Sequence, residues 1–315
     1  MKIAVLDAGT LGADLDLSPL AELGEVATYP TTLPTQMSER LRGVQVAVVN
    51  KIKMNADTLR DADELRLICV AATGFDNIDT AYCQERGIAV CNVPAYSTES
   101  VAQLTVSMAL TLVTHLTEYR HFVHTGAYSQ SDTANRLTPV YHELSTLTWG
   151  VVGGGGIGTR VAEIAGALGC RVVMCRRQPE TRFESADIDT LCEQADILSL
   201  HVPLNDGTRH LINAERLAKM KDGAVLINVA RGAVTDEEAV AAAVESGKLG
   251  GLGVDVYSVE PFRDNHPFYR LLDRDNVCLT PHMAWGAAEA RARCLAVIKQ
   301  NITVFFAGGT QNRIV

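Results

Sequence analysis

The sequence predicts an α/β protein built from two doubly wound parallel-sheet domains, and three observations carry that expectation. At 315 residues the chain exceeds what a single hydrophobic core usually supports. Short apolar runs alternate with helix-like stretches, once before Ser100 and again from Thr148 onwards. The second series opens on a glycine-rich turn lying between a strand pattern and an amphipathic helix pattern.

In the first series, Ile3–Leu6, Val46–Val49, Leu67–Ala71 and Ile88–Cys91 read as strands, rich in Val and Ile and bounded by turn residues. Between them, Met54–Leu65 has apolar residues at helical spacing. From Ser100 to about Thr125 the pattern is one long helix, with Ala102, Leu104, Met108 and Leu112 apolar. The stretch Gly126–Leu144 is polar and irregular, a linker or excursion. The second series offers Thr148–Val152, Arg171–Cys175, Ile197–His201, Ala224–Val229, Leu252–Val256 and Val277–Thr280 as strands. A closing helix runs from about Ala287 to Ala307, and its return to the first domain would make that domain discontinuous. No solenoid-period repeat or low-complexity segment is visible.

Hydrophobic residues make up 47% and charged residues 21%, as in an ordinary globular protein. The net charge of −9 offers no broad basic face, which argues against nucleic-acid binding. The amino terminus lacks the features of a secretory signal, and no apolar run reaches the roughly 20 residues that span a bilayer. A cytoplasmic enzyme without membrane contact is the expectation. None of the eight cysteines forms a Cys-x-x-Cys pair, and several sit in strand-like runs, so buried, reduced thiols are expected.

The strongest local signal is Gly153, Gly155 and Gly158, which satisfy G-x-G-x-x-G directly after a strand pattern. Gly156 and Ile157 open the helix that follows, with Val161, Ile164, Ala165 and Leu168 on one face. Glycines serve the tight turn, the backbone approach to a pyrophosphate and the close helix–strand packing. The pyrophosphate then rests on the helix N-terminus, where free N–H groups and the dipole favour an anion. At the end of the next strand, where NAD-binding proteins usually carry an acid, the chain reads Cys175-Arg176-Arg177-Gln178-Pro179. A carboxylate would repel a 2′-phosphate, whereas guanidiniums bind it with charge-assisted hydrogen bonds. NADP(H) is therefore favoured and NAD(H) remains possible; the other reading of the pair is a solvated surface ion pair.

Three further segments end strands with reactive side chains: Asn228-Val-Ala-Arg231, Asp255-Val-Tyr-Ser-Val-Glu260-Pro261, and Thr280-Pro-His282-Met-Ala-Trp285. In a parallel sheet, carboxyl ends of strands converge on the crevice where ligands bind. An Arg, a Glu and a His delivered there suit reduction of a 2-oxo acid. Singly, Arg231 could be a salt-bridged helix-start residue, Glu260 a turn residue and His282 a helix cap. No group of side chains has metal-ligand spacing, so no metal is expected. His115, His121 and His124 read as surface or interface residues.

With Ala72-Thr-Gly-Phe-Asp-Asn-Ile-Asp79 and Asn92-Val-Pro-Ala-Tyr-Ser-Thr-Glu-Ser100, these segments make nearly the whole chain resemble the D-2-hydroxyacid dehydrogenases. Thr280-Pro-His282-Met-Ala-Trp285 and Arg177-Gln178-Pro179 most resemble the glycerate dehydrogenase/hydroxypyruvate reductase branch. The resemblance implies a Rossmann nucleotide domain, residues 100–284, inserted in a flavodoxin-like substrate domain made of 1–99 and 285–315. It implies that the helix after Ser100 takes part in a homodimer contact. It also implies His282 as the proton donor, Glu260 as the residue orienting its ring, and Arg231 as the grip on the substrate carboxylate. Backbone groups at Thr73, Gly74 and Phe75 would complete the carboxylate site. Asp255 would hold the nicotinamide carboxamide, with His201, Val202, Pro203, Val229 and Ala230 and His282 also lining the cofactor. Lys51 could face the substrate or, like Lys53, be solvated; Trp285 could wall the pocket or pack the start of the last helix.

Gln103 stands where relatives often carry Glu, without a mechanistic account. The lack of an extension after the last helix argues against phosphoglycerate dehydrogenases that carry a regulatory domain. Reduction of hydroxypyruvate or glyoxylate with NADPH is the leading expectation. A bulkier 2-oxo acid is the alternative within the class, and a corepressor-like nucleotide sensor the alternative outside it.

Overall fold

The computed structural model describes residues 1–177 and 181–315, so Gln178 and Pro179 lie outside the described residues. The chain divides into two compact units, Met1–Ser97 with Gly286–Val315, and Thr98–Trp285.

The first unit holds β1 (Lys2–Val5), β2 (Glu25–Thr28), α1 (Met37–Leu41), β3 (Val46–Val49), β4 (Leu67–Val70), α2 (Thr80–Glu85) and β5 (Ala89–Cys91). The strands form a parallel sheet in the order β2-β1-β3-β4-β5. That order is the flavodoxin-like one, with its switch point between β1 and β3. Every residue of β3 and β4 is buried, because a parallel sheet covered on both faces needs continuous apolar strands rather than alternating ones. The last helix, Ala288–Phe306, packs on β4 and buries Cys294, Leu295, Ile298 and Ile302. Strand β2 escapes sequence reading because it is a short edge with no fully buried residue.

Met54–Leu65 is not a helix but a succession of turns, which corrects the periodicity reading. Met54, Leu59, Ala62 and Leu65 are all buried, so the apolar spacing marked burial correctly. The backbone is diverted locally: Asn55 Oδ1 accepts from the N–H groups of Asp57 and Thr58, and Thr58 Oγ1 accepts from Asn55 N–H. Such side-chain bonds compete with the helical ladder.

The second unit begins with α3 (Thr98–Val113) and α4 (Leu116–His124), then β6 (Thr148–Val152), α5 (Gly156–Ala167), β7 (Arg171–Cys175), β8 (Glu184–Ser185) and α6 (Ile188–Gln194). It continues with β9 (Ile197–Leu200), α7 (Ala214–Lys219), β10 (Ala224–Asn228), α8 (Glu237–Glu245), β11 (Leu249–Val254) and β12 (Val277–Leu279). Among the described residues all seven strands are parallel, in the order β12-β11-β10-β9-β6-β7-β8. The chain reverses direction across the sheet between β6 and β9, the crevice where doubly wound folds bind nucleotides.

The single long helix expected after Ser100 is instead two, bent by 62°. His115 takes a left-handed conformation at φ +50°, and Thr111 and Thr114 turn their hydroxyls back onto the carbonyls of Ser107 and Leu110. Back-bonding threonines beside a left-handed residue end a helix at that point. Among the described residues no single helix is long and apolar enough to cross a membrane. All eight cysteines are free thiols, six of them buried.

Candidate active site

The glycine-rich turn joins β6 to α5 at the switch point. Gly153 sits at φ +107°, and a Cβ there would stand 2.6 Å from the carbonyl oxygen of His201. A Cβ on Gly158 would collide with the Gly153 carbonyl, so only glycine lets α5 come this close to β6. Gly155, the N-cap of α5, differs: a Cβ there would meet nothing within 4 Å. Glycine at that position leaves open space against the helix N-terminus, bounded by Gly156 and Ile157. Such a cradle suits a dinucleotide pyrophosphate.

Arg176 follows β7 and lays its side chain along the turn; a Cβ on Gly154 would stand 2.7 Å from its Nε. Arg177, next to it, is exposed. His201 ends β9, where its Nε2 bonds the Ser199 hydroxyl at 3.0 Å; the same hydroxyl accepts from Trp149 Nε1. Its Nδ1 is buried without a hydrogen-bond partner, and burial pushes the ring down to about 3. A neutral imidazole whose Nδ1 is shut away from water avoids the penalty of a desolvated charge. Val202 and Pro203 continue from it, and Val202 also bounds the space beside Gly153.

At the carboxyl edge of β10, Asn228 pins the turn that carries Arg231. Its Oδ1 accepts from Ala230 N–H at 3.1 Å and its Nδ2 donates to the Arg231 carbonyl at 2.9 Å. Arg231 is half-buried, and one guanidinium nitrogen bonds the Ala230 carbonyl at 2.8 Å; Val229 beneath is buried. The next residue is Gly232, where a Cβ would collide with the backbone of Tyr257 and Ser258. The Arg231 turn and the Glu260 turn therefore touch through bare backbone.

Glu260 Oε1 accepts from Tyr257 N–H at 3.0 Å, and its Oε2 lies 2.7 Å from His282 Nδ1. A carboxylate at this distance accepts a hydrogen bond from Nδ1–H, leaving Nε2 as the ring atom for proton exchange. His282 is held at φ +53°. Asp255 is buried and its carboxylate accepts from Thr280 Oγ1 (2.6 Å), Met283 N–H (2.8 Å) and Ala284 N–H (2.9 Å). Burial raises its pKa, partly offset by those three bonds. Trp285 donates from its indole to the His282 carbonyl at 3.0 Å and packs on the core of the unit. Arg231, Glu260 and His282 thus end neighbouring strands on one edge of the second unit's sheet.

In the first unit, Lys51 is exposed at the carboxyl end of β3, and its loop is gathered by buried Asp7. The Asp7 carboxylate accepts from Asn50 (2.9 Å), Lys51 (2.6 Å) and Ile52 (3.3 Å) N–H groups. Thr73, Gly74 and Phe75 follow β4; Thr73 bonds the Val93 carbonyl and receives Asn92 on its own carbonyl. Asp7, Asn228, Gly232 and Glu237 were not singled out from the sequence. Asn228 closes a strand within a quoted motif, a signal that could have found it; Gly232 carries no local signal.

Residues 106–284 match the family model described as D-isomer specific 2-hydroxyacid dehydrogenase, NAD binding domain. A glycerate dehydrogenase of Methylorubrum extorquens is 36% identical over 291 residues, covering 91% of either chain. A hydroxypyruvate reductase of Blautia hydrogenotrophica is 34% identical and covers 99% of both. Among solved structures, the D-lactate dehydrogenase of Aquifex aeolicus, complexed with NAD and lactic acid, superposes with a TM-score of 0.87 at 30% identity, covering 100% of this chain and 99% of that one. The chain belongs to the D-isomer specific 2-hydroxyacid dehydrogenase family, the nicotinamide-dependent oxidoreductases of small 2-oxo and 2-hydroxy acids.

Proposed function

We propose that the chain reduces hydroxypyruvate or glyoxylate to D-glycerate or glycolate, with NADPH as the preferred cofactor. The observation that carries the chemistry is the 2.7 Å contact between Glu260 Oε2 and His282 Nδ1 at the sheet edge that also presents Arg231. The bound nicotinamide supplies the hydride. Arg231 binds the substrate carboxylate and polarises the carbonyl oxygen, on which negative charge grows. His282 hands the Nε2 proton to that oxygen, while Glu260 keeps the ring oriented and stabilises its charged form. Lys51, the backbone at Thr73, Gly74 and Phe75, and Trp285 are the further substrate contacts. Val229, Ala230, His201, Val202, Pro203 and Asp255 complete the cofactor contacts.

The hydroxypyruvate and glycerate assignment leans on the relatives that carry those names at 34–36% identity over most of their length. NADPH preference leans on Arg176 beside the glycine turn and the absence of an acid at that position. A cytoplasmic location and a homodimer complete the proposal; exposed Leu116, Val123, Leu137, Val140 and Tyr141 are an apolar set that a second copy would cover.

The deciding experiment follows NADPH and NADH oxidation with hydroxypyruvate, glyoxylate, pyruvate and phenylpyruvate. The highest kcat/KM with hydroxypyruvate and NADPH is the expected result. A preference for phenylpyruvate would move the assignment to a bulkier acid, and better rates with NADH would remove the phosphate clamp. No turnover with any of the four would favour an untested oxo acid or a nucleotide sensor.

A further inference from the structure

We propose that Glu237 and His266 form a buried brace that positions Glu260, and through it the ring of His282; the inference rests on the reading of Glu260 and His282 as the catalytic pair. Glu237 is the first residue of α8 and His266 lies beyond the Glu260 turn, yet both side chains are more than nine-tenths buried. Two ionisable groups removed from water at this depth need a compensating set of bonds. The bonds are all present. Glu237 Oε1 accepts from Ser258 N–H at 2.8 Å, and its Oε2 takes both the Ser258 hydroxyl and His266 Nε2, the latter at 3.0 Å.

The tautomer follows from the partners. His266 Nδ1 accepts from Phe268 N–H at 3.2 Å, so the ring proton sits on Nε2 and points at Glu237. The carboxylate is left as an acceptor only, at the N-terminal turn of α8, where the helix dipole favours a negative charge. Ser258, Glu237 and His266 are not a hydrolytic triad, because the hydroxyl bonds the carboxylate and has no contact with the ring.

What the brace holds is the loop two residues from Glu260. Ser258 is anchored through both N–H and hydroxyl, and the preceding Tyr257 gives its own N–H to Glu260 Oε1. The His266 ring packs against Tyr257, Phe262 and Phe268 with centroids 5.8, 5.0 and 5.1 Å away. Tyr257 in turn bonds the carbonyl of Thr280, two residues before His282. Glu237 and His266 touch no reacting atom; they are positioning residues for the Glu260 carboxylate, which bonds the His282 ring.

The two functions of His266 can be separated by substitution. In His266→Asn the amide oxygen replaces Nδ1 and keeps the bond from Phe268, but the side chain is too short for Glu237. In His266→Gln the amide nitrogen reaches the place of Nε2 and restores the bond to Glu237. Steady-state reduction of hydroxypyruvate by NADPH should show kcat down about tenfold in H266N, with KM changed less than about threefold, and recovery in H266Q. NADPH affinity, read from its fluorescence on binding, should be unchanged in both. In a Glu260→Gln background, H266N should add less than about twofold, since the brace acts through Glu260.

Equal kcat in H266N and H266Q would overturn the brace, as would an undiminished loss on the Glu260→Gln background. A lowered Tm with wild-type kcat would assign the cluster to stability alone. If Glu260→Gln by itself leaves kcat unchanged, the catalytic-pair reading fails instead, so the two failures are distinguishable.

Discussion

Asp255 holds His282 from behind: its carboxylate accepts the backbone N–H groups of Met283 and Ala284, the two residues that follow His282. His282 sits at φ +53°, a conformation that L side chains seldom adopt, so the turn needs bonds to keep it. The sequence reading assigns Asp255 to the nicotinamide carboxamide; in the structure the carboxylate already takes three hydrogen bonds from its own unit. Asp255→Asn keeps the shape but swaps one acceptor oxygen for a donor, leaving a buried donor unpaired. We expect a loss of about 1–3 kcal/mol in unfolding free energy. Turnover should fall about 10- to 100-fold as the His282 ring swings from its orientation. Measuring kcat beside NADPH affinity checks the division of labour. A fall in kcat larger than any loss of affinity fits the turn-holding role beside the cofactor contact, whereas a loss confined to affinity refutes it.

Gly232 is where the Arg231 turn meets the Glu260 turn: a Cβ there would collide with the carbonyl carbon of Tyr257. A Cβ there has no space, because it would meet backbone on the Tyr257–Ser258 side rather than a movable side chain. Gly232→Ala must therefore push one turn away from the other. Overpacking of this kind usually lowers stability by about 1–3 kcal/mol. The functional effect should be larger, about 100-fold or more in kcat/KM for the oxo acid, since Arg231 and Glu260 lose their relative placement. Nucleotide affinity should hold, because the glycine turn at 153–158 is untouched. A variant with wild-type kcat/KM would show that the contact is slack.

How much of this was legible beforehand depended on whether a residue's role is local. Gly153, Gly155 and Gly158 announce themselves because three backbone requirements fall within six residues. Arg231, Glu260 and His282 stand out because each closes an apolar strand, and strand ends share one edge. Gly232 and Glu237 do not, because their partners are Tyr257 and Ser258, far away in the chain. Strand β8 was missed because Glu184 and Ser185 are exposed and only two residues long. The same locality explains the errors at Met54–Leu65 and His115. Apolar period marks which side chains are buried, while Asn55, Thr58, Thr111 and Thr114 decide whether the backbone stays helical between them.

Arg176 lies along the glycine turn and Arg177 is exposed beside it, a placement suited to a 2′-phosphate next to the adenosine ribose. Charge-assisted hydrogen bonds contribute about 1.5–3 kcal/mol, which sets the expected loss in Arg176→Ser at about 10- to 100-fold in kcat/KM with NADPH. The value with NADH should stay within about threefold of wild type, because that cofactor lacks the phosphate. Parallel losses with both cofactors would mean that Arg176 shapes the turn and does not select the phosphate.

Burial holds the His201 ring near 3, against about 6.5 for the same ring in an unfolded chain. Between those values the unfolded chain binds a proton that the folded one refuses. The stability His201 contributes is therefore fully present above pH 6.5 and is lost as pH falls towards 3. The slope is about 1.4 kcal/mol per pH unit in that window, or about 1.4 kcal/mol between pH 7.5 and 5.5 once incomplete titration is allowed for. His201→Gln keeps a donor for the Ser199 hydroxyl and cannot titrate. Urea unfolding of both proteins at pH 7.5 and 5.5 should show the wild type losing about 1.4 kcal/mol more than the variant over that interval. Identical pH dependence would mean that the ring reaches water and accepts its proton in the folded state, and that its buried Nδ1 is not sealed from solvent.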